Sequence, residues 1–175
     1  MKNILIVSST LKNNFKLANN LNDYINDISK SLSYDLKTNV ISLENFDLPV
    51  YTEDNFDKYI EKYRHNIENL TQNFTKCDGI IICAPEYNGS TPPNVNNAIA
   101  WISTTTDYWR DAFNNKAALV CTNSGGVGTK YITIMKLQLE HLGCVVMPRA
   151  ISSNKNNPLN PESVKKILKQ FIKHI

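Results

Sequence analysis

Apolar residues cluster along this chain in two alternating patterns. Asn3-Ile-Leu-Ile-Val-Ser8 is a nearly continuous apolar run, the signature of a strand covered on both faces. Leu17, Leu21, Tyr24/Ile25, Ile28 and Leu32 then recur at steps of three and four, which lines one face of a helix. A strand at Asn39–Leu43 follows, and after Leu48-Pro49 the positions Phe56, Ile60, Tyr63, Ile67, Leu70 and Phe74 predict a second amphipathic helix. The alternation continues with a strand at Gly79–Ala84, a helix through Val95, Ala98, Ile99 and Ile102, and a strand at Ala117–Cys121. A helix through Ile132, Met135, Leu139 and Leu142 precedes a strand at Cys144–Met147. Asn160-Pro161 then supplies an N-cap and a first-turn proline for a last helix faced by Val164, Ile167/Leu168 and Phe171/Ile172.

Five strands alternating with five helices imply βαβ units, so the predicted class is α/β, a three-layer doubly wound parallel sheet. Right-handed crossovers and a length of 175 residues favour five strands in the flavodoxin-like order 2-1-3-4-5, as one domain over residues 1–175. Apolar residues make up 42% and charged residues 20%, which excludes a disordered or fibrous chain. The apolar runs are too short for a membrane helix and no signal peptide is evident, so the expected location is the cytoplasm, away from any membrane. A net charge of +3 accompanies lysines that crowd the last quarter, without the denser stripe interleaved with aromatics that basic nucleic-acid binders show. That is a solvated face rather than a nucleic-acid stripe. Four cysteines lack Cys-x-x-Cys spacing and three histidines lack ligand spacing, so neither a redox motif nor a metal site is expected.

Ligands of such sheets bind beyond the carboxyl ends of the strands where strand order reverses, here between strands 1 and 3. Three loops meet there. The first, Ser8–Asn14, leads into a helix, and Ser9, Thr10, Lys12 and Asn14 with the helix's N–H groups would cradle a phosphate; the same residues also suit an ordinary capped turn. The third, Pro85-Glu-Tyr-Asn-Gly-Ser-Thr-Pro-Pro93, could lay backbone groups along a flat ring, or serve as a surface turn with Thr91 capping a helix from Pro92. The fourth, Asn123-Ser-Gly-Gly-Val-Gly128, could approach a ring or phosphate closely, or simply flex. Together the three point to a planar phosphorylated cofactor. They hold no Ser/His/Asp set, no thiol beside a His and no carboxylate pair, so no protein side chain is assigned a catalytic role and the cofactor carries the chemistry.

Leu48-Pro-Val-Tyr51, Pro85-Glu-Tyr-Asn-Gly-Ser90, Asn97-Ala-Ile-Ala-Trp101, Ser124-Gly-Gly-Val-Gly128 and Leu142–Pro148 resemble, in order and spacing, the NAD(P)H-dependent FMN reductase family of flavodoxin-like flavin, quinone, azo and chromate reductases. The resemblance implies FMN, with NADPH or NADH as co-substrate and a small-molecule electron acceptor. It implies that Ser9, Thr10 and Asn14 hold the FMN phosphate, with Lys12 where relatives carry an Arg. Pro85, Glu86, Tyr87, Asn88, Gly89 and Ser90 would line the isoalloxazine, and Ser124, Gly125 and Gly126 would close its other side. It also implies a homodimer or homotetramer with flavin near the subunit boundary, for which the helix near Pro93 and Asp107-Tyr-Trp-Arg110 are candidates. The expected reaction passes hydride from the nicotinamide to flavin N5 and then to the acceptor by a ping-pong mechanism. A non-enzymatic flavodoxin-type electron carrier is the alternative.

Overall fold

A computed structural model describes residues 1–175. Its centre is a parallel sheet in which β1 (Lys2–Ser8), β3 (Gly79–Cys83) and β4 (Ala117–Asn123) lie side by side, with β2 (Leu36–Ser42) outside β1. The observed order β2-β1-β3-β4-β5 is the predicted one. The central strands are apolar on both faces because helices cover both. Ile4, Ile6, Ile81, Cys83, Leu119 and Cys121 face α1 (Asn13–Leu32) and α5 (Pro161–Ile172). Leu5, Val7, Ile80, Ile82, Ala118 and Val120 face α2 (Phe56–Thr75), α3 (Pro93–Thr104) and α4 (Thr129–His141). Successive side chains along a strand point to opposite faces, so one apolar run feeds two cores.

Three boundaries differ from the sequence expectation. β2 begins at Leu36, pairing Lys2↔Leu36 through Ser8↔Ser42, because an edge strand needs no continuous apolar run. The predicted strand at Cys144–Met147 is the first half of a broken edge strand. β5 (Val145–Val146) pairs with Ala117–Ala118, the chain leaves the ladder at Pro148, and β6 (Ile151–Ser153) rejoins β4 at Cys121–Asn123. Proline has no N–H to donate, and β6 carries two serines that give no apolar signal. Finally, α3 starts at Pro93 with Pro92 as N-cap, while Thr91 accepts from Asn96 Nδ2 at 2.9 Å rather than capping the helix.

At the amino ends of the strands, Asp78 accepts the Asn3 N–H at 2.7 Å and pairs with Lys2 Nζ at 3.2 Å. The backbone hydrogen bond, helped by Lys2, holds its carboxyl below the ordinary value of 3.8. All four cysteines are buried free thiols. Burial pushes the Cys144 thiol up to about 12, so it is inert as a nucleophile at neutral pH.

Leu119, fully buried in β4, should lose about 2–5 kcal/mol of stability when replaced by alanine in urea titrations. Asn160 caps α5 by accepting the Ser163 N–H at 2.9 Å, and Asn160→Ala should cost about 1 kcal/mol. Asp78→Asn tests the acid range. A carboxyl titrating low in the fold contributes stability above its unfolded pKa and loses it as pH falls through the folded one, so the difference between wild type and Asp78→Asn should be full near neutrality and vanish in strong acid.

Candidate functional site

The carboxyl ends of β1, β3 and β4 lie side by side, and the chain moves outward from β1 to β2 before returning to β3. The loops that follow these strands therefore diverge around one crevice. Loop one is held from below: the Ser9 N–H donates to Cys83 O at 3.0 Å, and Ser8 Oγ donates to Thr10 O at 2.6 Å. Ser9 is fully buried, yet its Oγ has no partner. Directly after it α1 begins at Asn13 without a side-chain cap and without an acidic residue in its first turn. Lys12 stands exposed at the N-cap position and forms no ion pair.

Asn14 is buried, and its amide is occupied. Its Oδ1 accepts the Asn123 N–H at 2.8 Å and its Nδ2 donates to Asn123 O at 2.9 Å. This paired bond fastens loop one to the end of β4, across 109 residues of sequence. Asn14 therefore fixes the loop's shape. Asn94 in the first turn of α3 adds a second fastening, donating to Ser9 O at 2.6 Å while its own Oδ1 remains buried and unpartnered.

In loop three, Tyr87 and Ser90 exchange both backbone hydrogen bonds, at 3.1 and 2.9 Å, around Asn88 (φ 49°) and Gly89 (φ 71°). Two successive positive φ values define the Asn-Gly hairpin turn that the sequence offered as one reading. A Cβ on Gly89 would also meet the Lys130 stem at 3.2 Å. Glu86 is a brace: its Oε2 accepts the Lys130 and Tyr131 N–H groups at 3.0 and 3.2 Å, capping α4, whose N-cap Gly128 has no side chain of its own. The Glu86 N–H in turn donates to Ser124 Oγ at 2.8 Å, tying loop three to loop four. Beyond Ser124 the chain opens, since a Cβ built on Gly125 or Gly126 would meet nothing within 4 Å.

The sequence pattern passed over what buttresses loop four. Asn123 Nδ2 donates to Ser153 Oγ at 2.9 Å, Ser152 Oγ to Val127 O at 2.6 Å and Asn154 Nδ2 to Gly126 O at 3.2 Å. The only available signal was a polar Ser-Ser-Asn run after a proline. The segment Leu48–Tyr51 is fastened to α3. Pro49 O accepts from Asn97 Nδ2 at 2.9 Å and from Trp101 Nε1 at 2.8 Å, and the Tyr51 N–H donates to Asn97 Oδ1 at 2.8 Å. Residues 97 and 101 are one helical turn apart, so a single face of α3 makes all three bonds. Trp101 is fully buried and stacks on Phe56 at 5.9 Å. Asp107–Arg110 lies instead past the end of α3, at the opposite edge of the sheet, where Arg110 sits 4.2 Å over Trp109 and Trp109 packs on His141. That segment lies away from this chain's own crevice.

The loops thus form a rigid frame around an orphaned hydroxyl, an uncapped helix start and two bare glycines. Residues 1–157 match the family described as NADPH-dependent FMN reductase. The chain belongs to this family. Membership makes it an NAD(P)H-dependent oxidoreductase whose cofactors are FMN and the nicotinamide nucleotide. The quinone reductase of Escherichia coli (strain K12) is 29% identical over 133 residues, covering 74% of this chain and 68% of the relative. Among solved structures, the flavoenzyme NAD(P)H:(acceptor) oxidoreductase FerB from Paracoccus denitrificans aligns with a TM-score of 0.68 at 22% identity, over 99% of this chain and 96% of that one. A flavodoxin from the domain Archaea aligns at 0.64 with 12% identity, over 99% and 96% respectively. Both likenesses concern the fold.

Asn14→Ala should leave the Asn123 backbone pair unpartnered, lowering stability by about 1–3 kcal/mol and speeding hydrogen exchange at the Asn123 amide. Glu86→Ala should cost about 1 kcal/mol through loss of the α4 cap, with Glu86→Gln recovering much of it in the same urea assay.

Proposed function

We propose that FMN binds across loops one, three and four of this reductase, and that a nicotinamide nucleotide and a small oxidised acceptor use its exposed face in turn, in a ping-pong sequence. The acceptor class is a quinone, azo compound, metal oxyanion or free flavin. The observation that carries the reading is the buried, unpartnered Ser9 hydroxyl beside an uncapped helix N-terminus. Burying a hydroxyl without a partner is costly, and a phosphate oxygen removes that cost.

On this reading Ser9, Thr10, Lys12 and the first N–H groups of α1 hold the phosphate. Pro85, Tyr87, Asn88, Gly89 and Ser90 border the ring, and the open faces of Gly125 and Gly126 leave room for its other side. Asn14, Glu86 and Ser124 keep the three loops in register. Bound FMN supplies hydride acceptance from the nicotinamide and delivery to the acceptor. The protein's part is to position it: the Asn88 and Gly89 N–H groups have no partner in the chain and are available to the ring. Leu11, Val50, Tyr87 and Val127 place one exposed apolar side chain on each surrounding loop. Such a rim suits flat, poorly hydrated ring systems, and it also suits burial against a second copy in a homodimer or homotetramer, with the protein working in the cytoplasm.

The test is an anaerobic visible spectrum of FMN-reconstituted protein before and after NADPH or NADH. Bleaching within seconds by a nucleotide, with steady-state double-reciprocal lines that stay parallel as a quinone is varied, is the expected result. Flavin bands that persist with nucleotide but bleach with a reduced partner protein would favour the electron carrier instead. Gly125→Leu should weaken FMN binding at least about tenfold while leaving the urea midpoint unchanged, because a Cβ at this position meets nothing within 4 Å and the larger side chain would compete with the ring for that open space.

A further inference from the structure

A carboxylate reaches into the proposed phosphate loop from outside it. Glu44 belongs to the short 3-10 turn Leu43–Asn45 directly after β2, and its Oε2 accepts the Leu11 N–H at 2.7 Å. Leu11 lies between Thr10 and Lys12, so the bond is made within the loop that carries the orphaned Ser9 hydroxyl. The carboxylate has no cationic partner. The protein's three ion pairs are Met1–Asp35, Lys2–Asp78 and Arg64–Glu68, and Lys12, one residue from Leu11, does not reach it. An uncompensated anion thus occupies one backbone donor of a loop whose other features favour an anion.

A carboxylate oxygen and a phosphate oxygen present the same chemistry to a backbone N–H. The two roles of Glu44 are nevertheless separable. Its hydrogen bond ties loop one to the end of β2, and this bond asks only for an acceptor. Its charge opposes any second anion brought to the same loop. We propose that Glu44 sets how strongly this site distinguishes a phosphorylated flavin from an unphosphorylated one, bracing loop one through its hydrogen bond while its charge holds down affinity for the phosphate dianion. The proposal rests on the FMN reading above, and it assigns the protein a weaker grip on FMN than the loop's own donors would give.

Glu44→Gln keeps the acceptor and removes the charge. Fluorescence titration at low salt should show FMN binding about tenfold tighter than in wild type, the size of one charge acting on a dianion across a few ångströms of hydrated loop. Riboflavin, which has the ring but no phosphate, should bind both proteins equally. The FMN difference should shrink towards unity at about 0.5 M salt, where the Debye length is only a few ångströms. Glu44→Ala, lacking the brace, should speed hydrogen exchange at the Leu11 amide, whereas Glu44→Gln should not. Unchanged FMN affinity in Glu44→Gln, or equal tightening of FMN and riboflavin, would overturn the proposal while leaving the FMN reading intact. The converse failure is read with inorganic phosphate and the Leu11 amide NMR signal. If neither flavin binds, the FMN reading falls and the flavin discrimination with it, while phosphate shifting that signal at lower concentration in Glu44→Gln still shows the charge of Glu44 opposing an anion at loop one; if phosphate acts alike on both proteins, that opposition falls too.

Discussion

All strands of the sheet run in the same direction, and both of its faces are buried under helices. This one constraint organises the molecule. Side chains on either face must be apolar, so polar chemistry is expelled to the strand ends, and parallel running gathers every carboxyl end on a single edge. The edge at the amino ends is closed by structural contacts such as Asp78 on the Asn3 N–H. The other edge is left to loops, and the reversal of strand order opens a crevice among them.

The polar residues of those loops work mainly on one another. Glu86 looks like an acid poised in a ligand loop, yet its backbone N–H is engaged in tying loop three to loop four and its carboxylate in capping α4. Asn14, Ser124 and Asn97 do comparable work for the neighbouring loops. Each bond contributes about 1 kcal/mol net, small against the cores, but each also removes a rotational freedom that a ligand would otherwise have to freeze. A cofactor that brings its own reactivity gains more from such a fixed frame than from an added acid or base.

The fold was legible because apolar periodicity is dictated by burial: β1, β3 and β4 and all five helices appear in the pattern of Ile, Leu and Val. What escaped was whatever burial does not dictate. The first residues of β2 lie on an edge and β6 is Ile151-Ser-Ser, so each offers a single apolar residue and no run. At the site, residue types and spacing located the loops and the family, while the division of labour inside them was out of reach. Whether an Asn holds a ligand or the backbone of Asn123 depends on a partner 109 positions away. Glu44, outside every motif, entered the site only through folding.

The broken edge beside β4 has a consequence for how the protein behaves in a crowded solution. A free strand edge is a template on which other chains can assemble, and the danger grows with the length of its uninterrupted run. Here that run is cut into two residues and three by Met147-Pro148-Arg149-Ala150. The opposite border, β2, has seven continuous residues but sets Lys37, Thr38 and Asn39 along it. One side is too short to be copied and the other too polar to invite it, so a fold with two open borders carries its own protection against fibrillar self-association.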